Sequence, residues 1–242
     1  MNFLVVIPAR LKATRLKEKL LIKIGEKEVL TRTYNKCLSV VPRNKIIIAT
    51  DSSKIIKLCK KINANYLYTK KKCLTGTDRV AEVAKTRKNF FYINVQGDEP
   101  FLDTRDLKKM ISSLKKLEKS DVLCGYAKIK DSQDYKNPSI PKVTFNNQND
   151  LMYMSRAPIP ASKDLKFTFA YKQICIYAFK RKALLNFQNK KKTKIEQKED
   201  IEILRFLENG YKVKMIKMSG KSFAIDTNRD LLKARKYLNS KK

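Results

Sequence analysis

The chain has 242 residues, of which 43% are hydrophobic and 9% aromatic, enough for one sizeable core or for one domain with a smaller lobe. It contains no histidine, which excludes serine–histidine triads, histidine metal sites and histidine acid–base chemistry. The five cysteines are scattered without a C-x-x-C pair, which predicts a protein of the reducing cytoplasm with neither a zinc site nor a disulfide frame. No apolar run of about 18 residues predicts a membrane span, and no signal peptide is expected because a strand begins directly after Asn2.

The formal net charge is +32, from 55 Lys and Arg against 23 Asp and Glu. An excess of this size can indicate a nucleic-acid-binding module, which we keep as the alternative class of protein. However, the lysines are spread along the whole chain and are not concentrated on one element, as the runs at 70–72 and 190–192 illustrate. We therefore interpret the charge as general composition and expect no nucleic-acid partner.

The first predicted element is a buried strand over residues 3–7, a wholly apolar run that ends at Pro8. Ligands of α/β proteins bind at the carboxyl ends of the strands, so the loop that follows is predicted to hold phosphates. Neither glycine-rich phosphate motif is present, and the contacts are therefore assigned mainly to basic side chains. These are Arg10, Lys12, Arg15, Lys17 and Lys19. A solvated basic loop is the alternative interpretation.

Strands and helices alternate after this loop. Apolar spacing predicts a helix over residues 28–39, a strand over 45–50, a helix over 53–62 and a short strand over 65–68. Such alternation favours β-α-β units and a parallel sheet.

Two further motifs indicate a nucleotide site. In residues 75–79, Thr77 or Asp78 is predicted to cap a helix whose N-terminal amides suit an anion or a base edge. Residues 91–95 predict a strand that ends in the acidic turn 96–100. A carboxylate on such a turn can hold Mg²⁺ that also binds substrate phosphates. The acidic turn and the cationic loop are complementary parts of one site.

Six segments, in chain order, carry a resemblance to a known family. They are IPARLKATRLKEKLL, TGTDRVAEV, NVQGDEPF, YMSRAPIP, QICIYAF and IDTNRDLLKAR. Together they resemble the 3-deoxy-manno-octulosonate cytidylyltransferase family over residues 3–235. The resemblance implies a Rossmann-like, mostly parallel α/β sheet flanked by helices, with a smaller β-rich lobe.

The resemblance also implies a domain arrangement and an activity. One domain would span residues 1–242, with a nucleotide-binding core mainly in 1–125 and 215–242 and a sugar-binding and dimerisation lobe roughly in 126–214. The implied reaction is Mg²⁺-assisted transfer of CMP from CTP to the anomeric hydroxyl of a 2-keto-3-deoxy sugar acid, in the first place 3-deoxy-manno-octulosonate (Kdo), with release of pyrophosphate. A cytoplasmic homodimer serving lipopolysaccharide or capsule synthesis, with no membrane contact, is implied as well.

Carried over residue by residue, the family's motifs fall on particular positions of this chain. Arg15, Lys19 and Asp98 are the implied catalytic residues, and Asp98 and Asp226 the implied metal ligands, the latter after a short apolar stretch predicted as a strand. The implied nucleotide-binding residues are Pro8, Ala9, Arg10, Arg15, Lys19, Arg79 and Gln96. The implied sugar-binding residues are Arg156, Gln173, Tyr177, Glu199 and Glu202. An arginine at 156 also suits a keto-acid carboxylate by fork-like pairing.

Three departures from the family pattern bear on the substrate. Gln173 and residues 72–74 stand where a histidine is common, and Ile203 replaces the glutamine of an L-E-Q-L-R segment. Two of the three changes fall where the sugar is expected to bind, and neither Gln173 nor Ile203 carries charge. A related sugar acid, such as an amino-substituted or nine-carbon one, is therefore an alternative substrate.

A predicted helix over residues 195–207 carries three glutamates at a spacing of three, Glu196, Glu199 and Glu202. This spacing is typical of a solvated helix face paired with lysines. The alternative is that Glu199 or Glu202 points into the sugar pocket.

Overall fold

The computed structural model describes residues 1–11, 16–70 and 73–240. Within them the strands are β1 (Phe3–Ala9), β2 (Lys23–Ile24), β3 (Lys27–Glu28), β4 (Ile46–Thr50), β5 (Tyr66–Tyr68), β6 (Phe91–Val95), β7 (Val122–Lys128), β8 (Lys142–Phe145), β9 (Leu151–Ser155), β10 (Tyr171–Lys180) and β11 (Val213–Lys217).

The helices of the same residues surround these strands. They are α1 (Val29–Leu38), α2 (Ser53–Lys61), α3 (Gly76–Thr86), α4 (Thr104–Ser112), α5 (Ser132–Lys136), α6 (Arg181–Asn189), α7 (Lys194–Glu199), α8 (Ile203–Glu208) and α9 (Asn228–Asn239). Short 3-10 turns occupy Lys19–Leu21, Arg43–Lys45 and Leu114–Glu118. None of the helices in the described ranges has the length and apolar character needed to cross a bilayer.

One large sheet organises the molecule, with the strand order β11-β7-β10-β6-β1-β4-β5. Strands β6, β1, β4 and β5 run parallel to one another, as do β11 and β7. The exception on this path is β10, which is antiparallel to β6 and to β7. Strands β8 and β9 continue the sheet beside the beginning of β10, and β2 and β3 form a separate hairpin. The predicted mostly parallel α/β sheet is confirmed.

The apolar first strand lies in the middle of the sheet because both of its faces are covered. All seven residues of β1 are buried. Val5 and Ile7 belong to the apolar layer that includes residues of α1 and α2, whereas Leu4 and Val6 belong to the layer that includes residues of α3 and α6. A strand buried on both faces needs an uninterrupted apolar run rather than an alternating one. The run therefore sets the position of β1, and with it the position of the loop after Ala9.

Most of the predicted elements are confirmed, but three details are wrong. The helix predicted over residues 195–207 is two helices, α7 and α8, because Asp200 adopts a left-handed conformation with φ of 50°. Residues 221–226, which precede α9, form no strand. The cap of α3 is Thr75 rather than Thr77 or Asp78. The core and lobe boundaries predicted for residues 1–125, 126–214 and 215–242 stay a prediction.

Candidate active site

A cavity of about 390 Å³ lies at the carboxyl ends of β1 and β6, where the first half of β10 extends past them. Eleven residues implicated by the sequence line it: Pro8, Arg10, Lys19, Arg79, Gln96, Asp98, Arg156, Gln173, Tyr177, Glu202 and Asp226. Ala9 is buried inside β1, and Glu199 is not among the residues that line the cavity. Arg15 lies outside the described residues. The sheet thus brings together side chains that are far apart in the chain.

Two carboxylates that line this cavity meet around one ammonium group. The Nζ of Lys19 donates to the carboxylate of Asp98 and, at 2.7 Å, to Oδ1 of Asp226. Burial alone would lower the pKa of Lys19, but the charges of the two carboxylates outweigh it and the pKa is raised. The lysine therefore stays protonated, and the two carboxylates are held against a positive charge.

Asp226 reaches this point through a backbone contact and a helix cap. The N–H of Ile225 donates to the carbonyl oxygen of Asp98 at 3.0 Å, which fixes the two segments side by side. Immediately afterwards Thr227 caps α9 in a capping box with Asp230, and the N–H of Asp226 donates to Oδ2 of Asp230 at 3.2 Å. Asp226 is therefore held at the start of a helix, without the predicted strand.

The pair of carboxylates fits a divalent cation that is completed by a substrate. In ranges 1–11, 16–70 and 73–240, no group of three or more Asp, Glu, Cys or His side chains could hold a metal ion. Mg²⁺ does not need such a cage, because it commonly binds one or two carboxylates together with substrate phosphates and water. The Lys19 ammonium between Asp98 and Asp226 shows that this position accepts a cation.

The turn that carries Asp98 depends on a glycine. A Cβ added to Gly97 would lie 2.9 Å from the carbonyl oxygen of Pro8, closer than a real Cβ approaches backbone. The turn after β6 therefore passes directly against the end of β1. The same glycine lies against Leu20 and Leu30, so the position of Asp98 is coupled to the buried residue next to Lys19.

We expect Gly97→Ala to lower the free energy of unfolding by about 1–3 kcal/mol, because the added methyl group must displace backbone. Urea unfolding followed by circular dichroism measures this. Gly76→Ala is the comparison, since its Cβ would meet the movable end of the Gln96 side chain at 3.0 Å. It is expected to lower the free energy of unfolding by less than Gly97→Ala does. A Gly97→Ala protein as stable as the parent would contradict the close approach.

Glu99 is a buried acid that the sequence did not single out as a site residue. It lines the cavity, and its Oε2 has no hydrogen-bond partner among the described residues. Burial, together with the charges of Asp98 and Asp226, raises the pKa of Glu99 to about 8. Its place beside Asp98 in the acidic turn was the one signal that could have pointed to it.

The raised pKa of Glu99 predicts a pH dependence of stability. The folded protein keeps a proton on Glu99 that the unfolded chain releases above the ordinary glutamate pKa of 4.5, so this group's contribution to stability falls as pH rises from 4.5 to about 8. The slope is at most about 1.4 kcal/mol per pH unit. Urea unfolding across this window, with a chelator present, is expected to show a shallower decline for Glu99→Gln than for the parent.

Glu118→Gln is the matched control for that measurement, because Glu118 is exposed, and it is expected to keep the parent's slope. Identical slopes for the parent and Glu99→Gln would contradict the assignment.

The start of α3 forms one wall of the cavity, where the sequence predicts the nucleotide. Thr75 caps the helix in a capping box with Asp78, and Gly76 lies against the amide group of Gln96 and the ring of Pro8. A larger residue at 76 would push Gln96 out of position. The capping box explains Thr75 and Asp78 of the TGTDR segment. The contact with Gln96 and Pro8 explains Gly76.

Arg79 lines the same wall, but its guanidinium group is hydrogen-bonded to residues that do not line the cavity. It donates to the hydroxyl group of Thr69 and, at 3.1 Å, to Oδ2 of Asp51, residues that follow β5 and β4. Only 3% of Arg79 is exposed. Its place is therefore set by the ends of two parallel strands, and Arg10, which is exposed at the end of β1, lies nearer to solvent.

The floor at the other end of the cavity comes from a bulge in β10. The pairing between β10 and β7 shifts between Ile174 and Tyr177, and Gln173, Cys175 and Tyr177 all line the cavity. Gln173 Nε2 donates to the Tyr177 hydroxyl group at 2.9 Å. Burial raises the pKa of Cys175 to about 12, so the thiol stays protonated. This floor offers hydrogen bonds but no charge.

Arg156 and Glu199 hold the segment between α7 and α8 against β9. Arg156 donates to the carbonyl oxygens of Glu199, Pro138 and Asp200 at 2.6, 2.9 and 3.0 Å. The Glu199 carboxylate accepts from Ser155 Oγ at 2.7 Å and from the Arg156 N–H at 2.8 Å. Burial would raise the pKa of Glu199, but these hydrogen bonds and one from Tyr153 outweigh it and lower the pKa.

The interpretation of the three glutamates as a solvated helix face is wrong. Glu196 is 1% exposed and pairs with Arg205, and Glu199 is bound as just described. Glu202 faces the cavity, where its Oε2 accepts from the Thr77 N–H at 3.1 Å, and burial raises its pKa. The break at Asp200 rotates α8 relative to α7, so the period of three does not define one face. Ile203 is fully buried in the core and does not line the cavity.

The fold and this site together define a nucleotidyltransferase, in which basic groups and a carboxylate pair face a cavity at the carboxyl ends of parallel strands. A family model described as cytidylyltransferase matches residues 4–217. The chain belongs to this family and, within it, to the 3-deoxy-manno-octulosonate cytidylyltransferases.

Individual relatives support the narrower family. The 3-deoxy-manno-octulosonate cytidylyltransferase of Christiangramia forsetii is 37% identical over 237 residues, with 97% of this chain and 96% of the relative covered. That of Elusimicrobium minutum is 34% identical, with 98% of each chain covered. Among solved structures, a CMP:2-keto-3-deoxy-manno-octonic acid synthetase complexed with CTP superimposes with a TM-score of 0.93 at 28% identity, covering 100% of both chains.

Proposed function

We propose that this protein transfers CMP from CTP to the anomeric hydroxyl group of Kdo and releases pyrophosphate. The observation that carries the proposal is the meeting of Asp98 and Asp226 around the Lys19 ammonium group in one cavity. That cavity extends from the start of α3 to the uncharged floor of β10. A solved relative complexed with CTP supports the choice of nucleotide.

We infer that Mg²⁺ is the cofactor and that Asp98 and Asp226 would hold it. When bound, the ion would neutralise charge on the phosphates and make the attacking hydroxyl group more acidic. Ligands that are all oxygen atoms favour hard ions such as Mg²⁺, Mn²⁺ and Ca²⁺ over softer ions such as Zn²⁺ and Cu²⁺, and Mg²⁺ is proposed among them on the basis of the family resemblance.

Positioning and electrostatic stabilisation are the main tasks of the protein's own groups in phosphoryl and nucleotidyl transfer. Lys19 pairs with Asp98 and Asp226 in this structure. With Mg²⁺ on the two carboxylates, its ammonium group would be released to supply positive charge where negative charge develops on the phosphate oxygens. Arg10 lines the same cavity and can contact the outer phosphates. Arg15 is proposed to act with them on the basis of the family motif.

At the sugar end, the neutral pair Gln173 and Tyr177 acts together with Arg156 and Glu202 to bind and orient the acceptor. Gln173 and Tyr177 form a hydrogen-bonded pair that can contact sugar hydroxyl groups. Arg156 can direct its remaining N–H groups at the sugar carboxylate, since three of its five donors are used on carbonyl oxygens. Glu202 faces the same space and can accept a hydrogen bond from a hydroxyl group.

A related sugar acid is the second candidate substrate, and the floor of β10 is the observation that favours it. Gln173, Cys175 and Tyr177 themselves carry no charge, and Gln173 can donate or accept a hydrogen bond. Such a floor tolerates an amino or hydroxyl substituent. The transfer of CMP is the same in both cases.

The test measures pyrophosphate release from CTP and Mg²⁺ with a panel of 2-keto sugar acids: Kdo, its 8-amino analogue and a nonulosonic acid. ATP, UTP and GTP serve as nucleotide controls. Release with CTP and Kdo is expected. Release only with another acid would change the substrate and keep the reaction, whereas folded protein that is silent across the panel would overturn the proposal.

Homodimeric assembly in the cytoplasm is part of the same proposal and rests on the family resemblance. Sedimentation velocity is expected to give twice the mass of the 28.1 kDa chain. A monomer at all concentrations would contradict the dimer without affecting the proposed reaction.

A further inference from the structure

Arg205 on α8 is a fully buried arginine that the proposed chemistry does not use. It is 1% exposed, and its guanidinium stacks 3.7 Å from the centre of the Phe187 ring. Nε and Nη2 donate to the two oxygens of Glu196, each at 2.7 Å. Nη1 donates to Oδ1 of Asp78 at 3.2 Å and to the carbonyl oxygen of Phe187 at 3.3 Å. One side chain therefore joins groups from α3, α6 and α7.

The two carboxylates bound by Arg205 have the same local role. Asp78 completes the capping box of α3 with Thr75, and Glu196 completes the capping box of α7 with Thr193. In a capping box the carboxylate at the third helical position fixes the first turn. Arg205 thus connects the first turns of two helices that are far apart in the chain.

Both of these helix starts border the cavity. Thr75 and Gly76 line it on the side proposed for the nucleotide, which we call the nucleotide wall, and Glu196 and Glu202 line it on the side proposed for the sugar, which we call the sugar wall. A second contact ties the walls together, because the carboxylate of Glu202 accepts from the N–H of Thr77. A bidentate pair constrains direction as well as distance, so a displacement of one helix start is passed to the other.

We propose that Arg205 is a positioning residue that couples the nucleotide wall to the sugar wall, so that each substrate's site is held in place partly by the other. The inference rests on the proposed function for its kinetic consequences. Arg205 itself does not line the cavity. Its role follows from its bond to Asp78, which caps the helix start that carries Thr75 and Gly76, and from its bond to Glu196, which lines the cavity.

The kinetic test changes a residue at one helix start and measures the KM of the substrate proposed to bind at the other. Glu196→Gln alters the sugar wall, and coupling predicts that the KM for CTP rises about 5-fold or more. Asp78→Asn alters the nucleotide wall and is expected to raise the KM for the sugar acid similarly. Arg205→Lys keeps the charge but loses the fork, and kcat/KM for both substrates is expected to fall about 10- to 100-fold. Folded variants with a lower Tm and unchanged kinetic constants would overturn the inference.

A measurement that needs no turnover separates this inference from the proposed reaction. Hydrogen–deuterium exchange of the parent and of Glu196→Gln compares the first turns of α3 and α7. Coupling predicts faster exchange at both, including residues 75–80, although the change lies on α7. Glu118→Gln, the same replacement at an exposed position, is expected to change neither. Faster exchange confined to α7 would overturn the coupling, even in a fully active enzyme.

Discussion

Asp98→Asn is expected to lower kcat at least about 1000-fold, which corresponds to about 4 kcal/mol of transition-state stabilisation. The replacement has the same shape, but it removes one of the two negative charges that meet at Lys19. A cation held by the remaining carboxylate alone would be bound weakly and placed loosely between the protein and the triphosphate. The measurement is pyrophosphate release from CTP and Kdo at increasing Mg²⁺ concentration.

Two comparisons make this result specific. Asp164→Asn, at an exposed position, is expected to leave kcat unchanged. Asp226→Asn tests the second carboxylate. Like Asp98→Asn, it is expected to lower kcat and to raise the Mg²⁺ concentration that activity requires. An Asp98→Asn enzyme within about tenfold of the parent would rule out this carboxylate as a metal ligand, since the loss of a metal contact costs several kcal/mol.

Arg205→Leu is expected to lower the free energy of unfolding by about 3–5 kcal/mol, because it leaves two buried carboxylates without their partner. Glu196 is 1% exposed and Asp78 is 5% exposed, so water cannot replace the guanidinium. The measurement is urea unfolding near neutral pH.

Arg235→Leu is the matched control, since Arg235 is exposed on α9, and it is expected to change the free energy of unfolding by no more than about 0.5 kcal/mol. The double variant Arg205→Leu with Glu196→Leu removes the more deeply buried of the two uncompensated carboxylates and is expected to recover part of the lost stability. A single Arg205→Leu protein as stable as the parent would contradict the buried ion pairs.

Much of the nucleotide side could be predicted from local sequence. An apolar run that ends in a turn indicates a buried strand, and the strands at 3–9 and 91–95 are neighbours in the sheet. Because parallel strands end at the same edge, the loop with Lys19 and the turn with Asp98 were expected to meet. The structure brings them into contact. The role of each predicted site residue in catalysis stays a prediction.

The sugar side was less accessible to the same reasoning. The period of three in Glu196, Glu199 and Glu202 suggested one exposed helix face, but the left-handed turn at Asp200 breaks the helix. Each glutamate then finds a separate partner on another element: Arg205, Ser155 and Thr77. No local pattern identifies such partners, because they lie between 9 and 125 positions away in the chain.

The sequence by itself determined which family this protein belongs to, where the buried strands β1, β4 and β6 lie and which motifs carry the basic and acidic groups. Those features depend on residue type and short-range spacing. Only the tertiary structure decided that Lys19 lies between Asp98 and Asp226, that Gly97 touches the end of β1, and that Arg205 joins the starts of α3 and α7. These depend on how distant segments are brought together when the apolar faces of sheet and helices are buried. For the Arg205 cluster, burial also makes the pairing necessary, because a charged group removed from water needs a partner.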